Sequence, residues 1–144
     1  MAVDPKPVAR RFFEDAWNSR DLTLIDELIA PTYTAHDPSA PDFGRGPERI
    51  KKMITMFRTA LPDLHVTVED VVVQGDKEVV RWTGRGTHQG ELLGIAPTGK
   101  PVTITGIDIA RIADGKIAEI WNNWDALGLL QQIGGIPPRG QAKP

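Results

Sequence analysis

An α+β domain is predicted by three features of the sequence. Apolar residues recur at spacings of three and four up to about Leu61, the period changes to two from Leu64 onward, and short turn sequences punctuate the second half. Helices followed by a run of antiparallel strands form a layered α+β domain rather than an alternating α/β one. At 144 residues the chain is read as a single domain over 1–144, large enough to bury a core without metal or disulfide support, with 137–144 as a loose tail.

The elements follow in order. Val8, Phe12 and Ala16 at spacing four, flanked by Phe13 and Trp17, predict a first helix that Pro7 is allowed to begin. Asp21 is placed to cap a second short helix through Leu24, Ile25 and Leu28, which Pro31 is expected to stop. A short strand and a Pro-, Gly- and Asp-rich loop follow, from Thr32 to Glu48. The third helix starts at Gly46-Pro47-Glu48, repeats through Ile50, Met53, Ile54, Phe57 and Leu61, and ends at Pro62. Four alternating segments then run to Trp124. Gln74-Gly75-Asp76-Lys77 and Ala113-Asp114-Gly115-Lys116 join neighbours as hairpins. The link 89–100 is too apolar to lie free in solvent, and 129–134 is expected to make a last helical turn, with Asp125 as its cap.

Composition excludes several classes. A formal net charge of −2 gives no global attraction to nucleic acid or acidic membranes. The chain has no cysteine, which removes disulfides and thiolate chemistry and suits a reducing cytoplasm; three scattered histidines, at 36, 65 and 88, make no metal cage. No apolar run reaches membrane-spanning length, and the amphipathic start is not read as a signal peptide. The expected setting is the cytosol, with a small molecule as the partner.

One strand stands out. Val102, Ile104, Gly106, Asp108, Ala110 and Ile112 share one face, while Ile107 and Ile109 occupy the other. Two apolar faces require two covers. Helices supply one; a second copy of the chain is the simplest other, so a homodimer through the outer sheet face is expected.

Residues 87–134, "THQGELLGIAPTGKPVTITGIDIARIADGKIAEIWNNWDALGLLQQIG", together with "AHDPSAPDFGRGPERIKKMI", resemble the SnoaL-like polyketide cyclases (ester cyclases), over roughly residues 7 to 136. The resemblance implies the NTF2-like cone, in which a strongly curved antiparallel sheet closes on three helices around an apolar pocket. It also implies ring closure of polyketides by an intramolecular aldol reaction, with no metal and no organic cofactor. The family's acid/base Asp follows a Trp; here Trp121 is followed by Asn122, an amide that cannot exchange a proton near neutral pH. The histidine that assists it falls, by spacing, on Asp108.

The candidate catalytic residues are therefore Asp108, Asn122 and His36. Asp108 would be a base strengthened by desolvation, or else an ion-pair partner of Arg81, Arg85 or Arg111. Asn122 would donate to a developing enolate, or else bond to a neighbouring strand or to Asn123. His36 would relay protons at the pocket mouth, or else brace its loop with Asp37. Trp124, Trp82, Trp17, Ile120, Gly106 and His88 are the candidate substrate-binding residues, with core packing the competing role for the tryptophans and sheet bending for the glycines near His88. Trp121 has the opposite parity and suits an interface. Arg81 and Arg85 are expected in ion pairs on the sheet.

These residues suit a cofactor-independent enzyme that abstracts a proton next to a carbonyl of a polyketide-like polycycle and cyclises it. A hydroxylase-like tailoring enzyme, an epoxide-hydrolase-like enzyme and a non-catalytic binding protein are the alternatives.

Overall fold

The computed structural model describes residues 6–19, 21–39 and 44–137; the expected tail, apart from Pro137, lies outside the described residues. Helix α1 (Val8–Arg11) runs into a π-helical turn (Phe12–Ala16), in which Trp17 N donates to the Phe12 carbonyl at 3.2 Å. The widened turn keeps Phe12, Phe13, Ala16 and Trp17 on the buried side. Helix α2 (Thr23–Leu28) begins where the Asp21 carboxylate accepts the backbone N–H and hydroxyl of Thr23, at 3.0 and 2.6 Å. Helix α3 (Gly46–Ala60) enters through Gly46, at φ 62°, with Pro47 in the first turn, and buries Ile50 and Ile54.

Pro31 does not stop α2, as the sequence suggested. The helix already ends at Leu28, and Pro31 lies inside strand β1 (Ile29–His36). An edge strand tolerates proline because one of its sides needs no N–H donor, and the pairing of β1 is interrupted between Ile29 and Thr34.

Strands β2 (His65–Gln74), β3 (Lys77–Thr87), β4 (Pro101–Ala113) and β5 (Lys116–Trp124) complete a five-stranded sheet in the order β1-β5-β4-β3-β2. Four of these strands pair antiparallel, as expected. The fifth, β1, joins β5 in parallel, so the sheet is mixed. The tight turn between β4 and β5 places Asp114 and Gly115 at φ 53° and 75°, the left-handed pair that suits the twist of a two-residue hairpin. Register shifts between Val68 and Asp70 and between Arg111 and Ile112 bend the sheet around the helices.

Strand β4 shows the two-faced pattern directly. Val102, Ile104, Asp108 and Ala110 are buried, while Ile107 and Ile109 are 50% and 39% exposed. The apolar link after β3 closes one end of the cone. Gln89 N and Gly90 N both donate to the Ala60 carbonyl, Leu92 bridges Ile95, and Leu92 is buried. Helix α4 (Ala126–Gln132) follows β5 and is capped by Asp125, whose Oδ1 accepts from Gly128 N at 2.8 Å. Among the described residues no helix is long and apolar enough to cross a membrane. Arg81 and Arg85 are exposed on the outer face, and neither makes the expected ion pair among the described residues.

Candidate active site

The concave face of the sheet and the inner sides of the π-turn and α3 line a cavity with an open mouth. Each wall follows from a periodicity. The helical repeat of α3 sends Ile50, Met53 and Phe57 inward, and the strand alternation of β4 and β5 sends in Ile104, Asp108, Ile120, Asn122 and Trp124. The lining is overwhelmingly apolar and aromatic with few polar groups, the usual make-up of a small-molecule site.

Asp108 is the centre of those polar groups. It is 4% exposed. Trp82 Nε1 donates to its Oδ1 at 2.9 Å, and Asn122 Nδ2 donates to the same oxygen at 2.5 Å. Cross-strand register explains the second contact, since Asp108 and Asn122 are direct partners on β4 and β5. Phe13 stacks on Trp82 with ring centroids 5.9 Å apart and holds the indole over the strand. Oδ2 accepts no hydrogen bond among the described residues, and it is not among the side-chain atoms sealed from solvent without a partner, so it opens on the cavity. Burial pushes the Asp108 carboxyl up to about 7, against the two donors, which pull it down. Among the described residues no arginine pairs with it: the ion-pair alternative is replaced by an indole and an amide.

The same contact alters the reading of Asn122. Its amide donates to Asp108 and not to Asn123, so it positions the carboxylate as well as facing the cavity.

Tyr33 escaped the sequence reading. It is buried on β1 and lines the cavity, and its hydroxyl makes no hydrogen bond among the described residues. Burial first, and the nearby Asp108 charge second, raise its pKa, so the phenol stays a neutral donor. The alternation of Tyr33 with Ala35 was the available signal, but a lone tyrosine in an eight-residue strand carries none of the charge that draws attention to a site. Asp37, Ser39 and Arg49 add a polar rim.

Three of the proposed residues lie elsewhere. His36 projects from the outer face, half exposed, where its Nε2 lies 2.7 Å from Glu119 Oε2 and its ring stacks on Trp121. The period-two alternation of β1 puts it opposite to Tyr33 and Ala35. His88 is fully buried but does not line the cavity; its Nδ1 lies 2.9 Å from Thr98 Oγ1 and accepts from Thr98 N, tying down the link after β3. Gly106 lies beneath Trp82 and outside the lining, and a Cβ there would collide with Trp82 Cζ2 and Cε2. Its role is to let the indole lie flat and reach Asp108. The other proposed wall residues, Trp17, Trp82, Ile120 and Trp124, do line the cavity. Among the described residues no group of three or more His, Asp or Glu is placed to hold a metal ion.

Comparisons with known proteins agree with this architecture. The model of the SnoaL-like polyketide cyclase family matches residues 7–133. Aklanonic acid methyl ester cyclase DauD of Streptomyces sp. (strain C5) is 28% identical over 116 residues, covering 77% of this chain and 67% of that protein. Nogalonic acid methyl ester cyclase of Streptomyces nogalater is 27% identical over 126 residues, covering 83% and 90%. The structure of TsrD from Streptomyces laurentii superposes with a TM-score of 0.82 at 34% identity, over 94% of this chain and all of that one. The NTF2-like cone expected from the sequence is the fold of this chain.

Proposed function

Because the chain belongs to the SnoaL-like polyketide cyclase family, we propose that it is a cofactor-independent enzyme that closes a ring in a polyketide-like polycyclic carbonyl compound. The observation that carries this reading is the single desolvated carboxyl on the floor of an aromatic cavity, one oxygen held by Trp82 and Asn122 and the other open. Asp108 Oδ2 takes the proton from the carbon next to a carbonyl. The electron pair moves onto that carbonyl oxygen as an enolate, and the Tyr33 hydroxyl donates to it. The enolate carbon attacks a second carbonyl of the same molecule, forming the new C–C bond. The alkoxide so produced takes the proton back from Asp108, and the product is an isomer of the substrate. A base poised near neutrality suits this exchange, because it must both accept and return the proton. Holding both reacting ends in one chamber supplies much of the remaining acceleration.

Asp108 thus stands in for the family's Asp at the position of Asn122. The test is turnover of nogalonic and aklanonic acid methyl esters, the compounds named for the two relatives. The native protein is expected to convert one of them to an isomer of equal mass, and Asp108→Asn to slow that step by roughly 10²–10⁴-fold. An Asp108→Asn protein with native turnover removes the base assignment. A native protein that neither converts these esters nor exchanges their acidic hydrogens for deuterium removes the cyclase reading.

The outer face supports a homodimer. His36, Trp121, Ile109, Val79 and Val72 are successive register partners, and together they draw one largely apolar row across all five strands. A second copy would cover it. Sedimentation should give a dimer that Ile109→Arg splits, whereas a native monomer at tens of micromolar concentration refutes it. The cysteine-free chain suits work in a reducing cytoplasm.

A further inference from the structure

The apolar link between β3 and β4 has no part in the reaction described above, yet it reaches the chamber at one point. Of its described residues only Leu93 lines the cavity, half-buried against the core. Leu93 and Gly94 form a tight turn between Leu92 and Ile95, which exchange backbone hydrogen bonds at 3.0 and 2.9 Å. The two turn residues have φ of 52° and 79°. The hairpin turn at Asp114 and Gly115 has nearly the same pair, 53° and 75°, and there the first position carries an exposed aspartate. Aspartate and asparagine tolerate the left-handed region, whereas leucine is strained in it.

The link is fastened on both sides of that turn. Gln89 N and Gly90 N donate to the Ala60 carbonyl at 2.9 and 3.0 Å, at the C-terminal end of α3, and a Cβ on Gly90 would lie 2.7 Å from the Thr59 carbonyl oxygen. At the base of the link, His88 N donates to the Lys100 carbonyl at 2.9 Å and Gly99 N to the His88 carbonyl at 2.8 Å. Leu92 is buried, and Ile95 Cδ1 would lie 3.2 Å from a Cβ on Gly135, just beyond α4. A left-handed leucine persists only where its surroundings over-determine it, and these contacts do so. A polar residue at this position would satisfy the turn. What leucine adds is an apolar side chain at the cavity wall.

We infer that Leu93 is a specificity-determining residue, a fixed stop that limits how long a fused-ring substrate the chamber admits. The ligand class is a fused polycyclic ketone or quinone, and the property selected is its number of rings rather than its polar groups. A side chain carried on so fastened a turn cannot swing aside without breaking the hydrogen bonds of the link, so an over-long ring system meets a wall. Selection by such a clash needs no added attraction to the accepted ligand. This inference rests on the reading of the cavity as a substrate chamber, and binding tests it without turnover.

The probes are hydroxyanthraquinone, with three fused rings, and hydroxytetracenequinone, the same skeleton extended by one ring, each with its hydroxyl beside a quinone carbonyl. Quenching of tryptophan fluorescence gives both affinities for the native chain, for Leu93→Gly and for Leu93→Ala. The ratio of the two affinities cancels whatever general packing the substitutions disturb. The four-ring to three-ring ratio should rise by about 10- to 100-fold in both variants, the discrimination that a small steric difference in an apolar pocket provides. Thermal unfolding reads the backbone strain. Leu93→Gly should melt about 2–5 °C above Leu93→Ala, the reverse of the order at an ordinary position, because glycine takes this φ freely and alanine does not. A ratio unchanged in both variants, with the probes still bound, overturns the stop and leaves the chamber standing. Leu93→Ala as stable as Leu93→Gly overturns the strained turn on which the stop depends. If neither probe binds the native chain or either variant, chamber and stop fall together.

Discussion

Replacing Asp108 with Asn is expected to stabilise the fold at neutral pH while slowing the proposed chemistry. The carboxyl is 4% exposed, and the folded protein moves it from 3.8 to about 7. A folded-state value above the unfolded one means that the native state binds the proton more tightly. The folded state therefore loses stability as pH rises from about 4 to about 7, and the loss is complete above that. At about 1.4 kcal/mol per decade the penalty on the native chain approaches about 4 kcal/mol. An amide in place of the carboxyl is its neutral isostere, able to accept from Trp82 Nε1 and exempt from the penalty. Urea unfolding of the two proteins, followed from about pH 4.5 to about pH 8.5, measures the effect as a difference in which every other titrating group cancels. The two stabilities should lie closest at the acid end, and the advantage of Asp108→Asn should grow towards pH 7 and then level off. A difference that stays flat across this range would refute the claim that the cavity desolvates the carboxyl, and with it the case for a strengthened base.

The other expectations concern the groups around this carboxyl. Turnover should rise with pH and level off above about 7, since the proposed base acts in its ionised form, and Asn122→Ala should move the midpoint upward by removing a donor that favours that form; a midpoint unmoved in a folded variant would show that the amide does not position the carboxylate. His36→Ala should keep turnover within about a factor of two, because the imidazole sits on the outer face with Glu119 and Trp121, and a large loss there would return the histidine to the chemistry. Gly106→Ala should cost about 1–3 kcal/mol in urea unfolding by displacing the Trp82 ring, and a neutral result would show that the indole has room to shift.

Parts of the site were legible because strand alternation is a strict rule. Once Asp108 was placed on the face of Ile104 and Ala110, and Asn122 on that of Ile120 and Trp124, the hairpin turn at Asp114-Gly115 made them neighbours, and the register pairs them directly. The inward wall of α3 was likewise contained in the spacing of Ile50, Met53 and Phe57. His36 obeys the same rule: its chemistry and its nearness to a loop suit a pocket mouth, but its parity, opposite to that of Tyr33, sends it outward. His88 and Gly106 share the inner face, but that face is longer than the cavity, and packing against Thr98 or Trp82 uses up part of it.

By itself, then, the sequence determined which elements form, which side of each is apolar, and that one carboxylate and one amide would share the inner side of neighbouring strands. These properties depend on local periodicity and turn chemistry, which short stretches of chain carry. The tertiary structure decided that β1 returns parallel to β5 and brings Tyr33 to the site, that Trp82 and Asn122 rather than an arginine hold Asp108, and that the carboxyl is dry enough to titrate near 7. Partner choice and desolvation depend on distances between residues far apart in the chain, which are set only when the sheet closes on the helices.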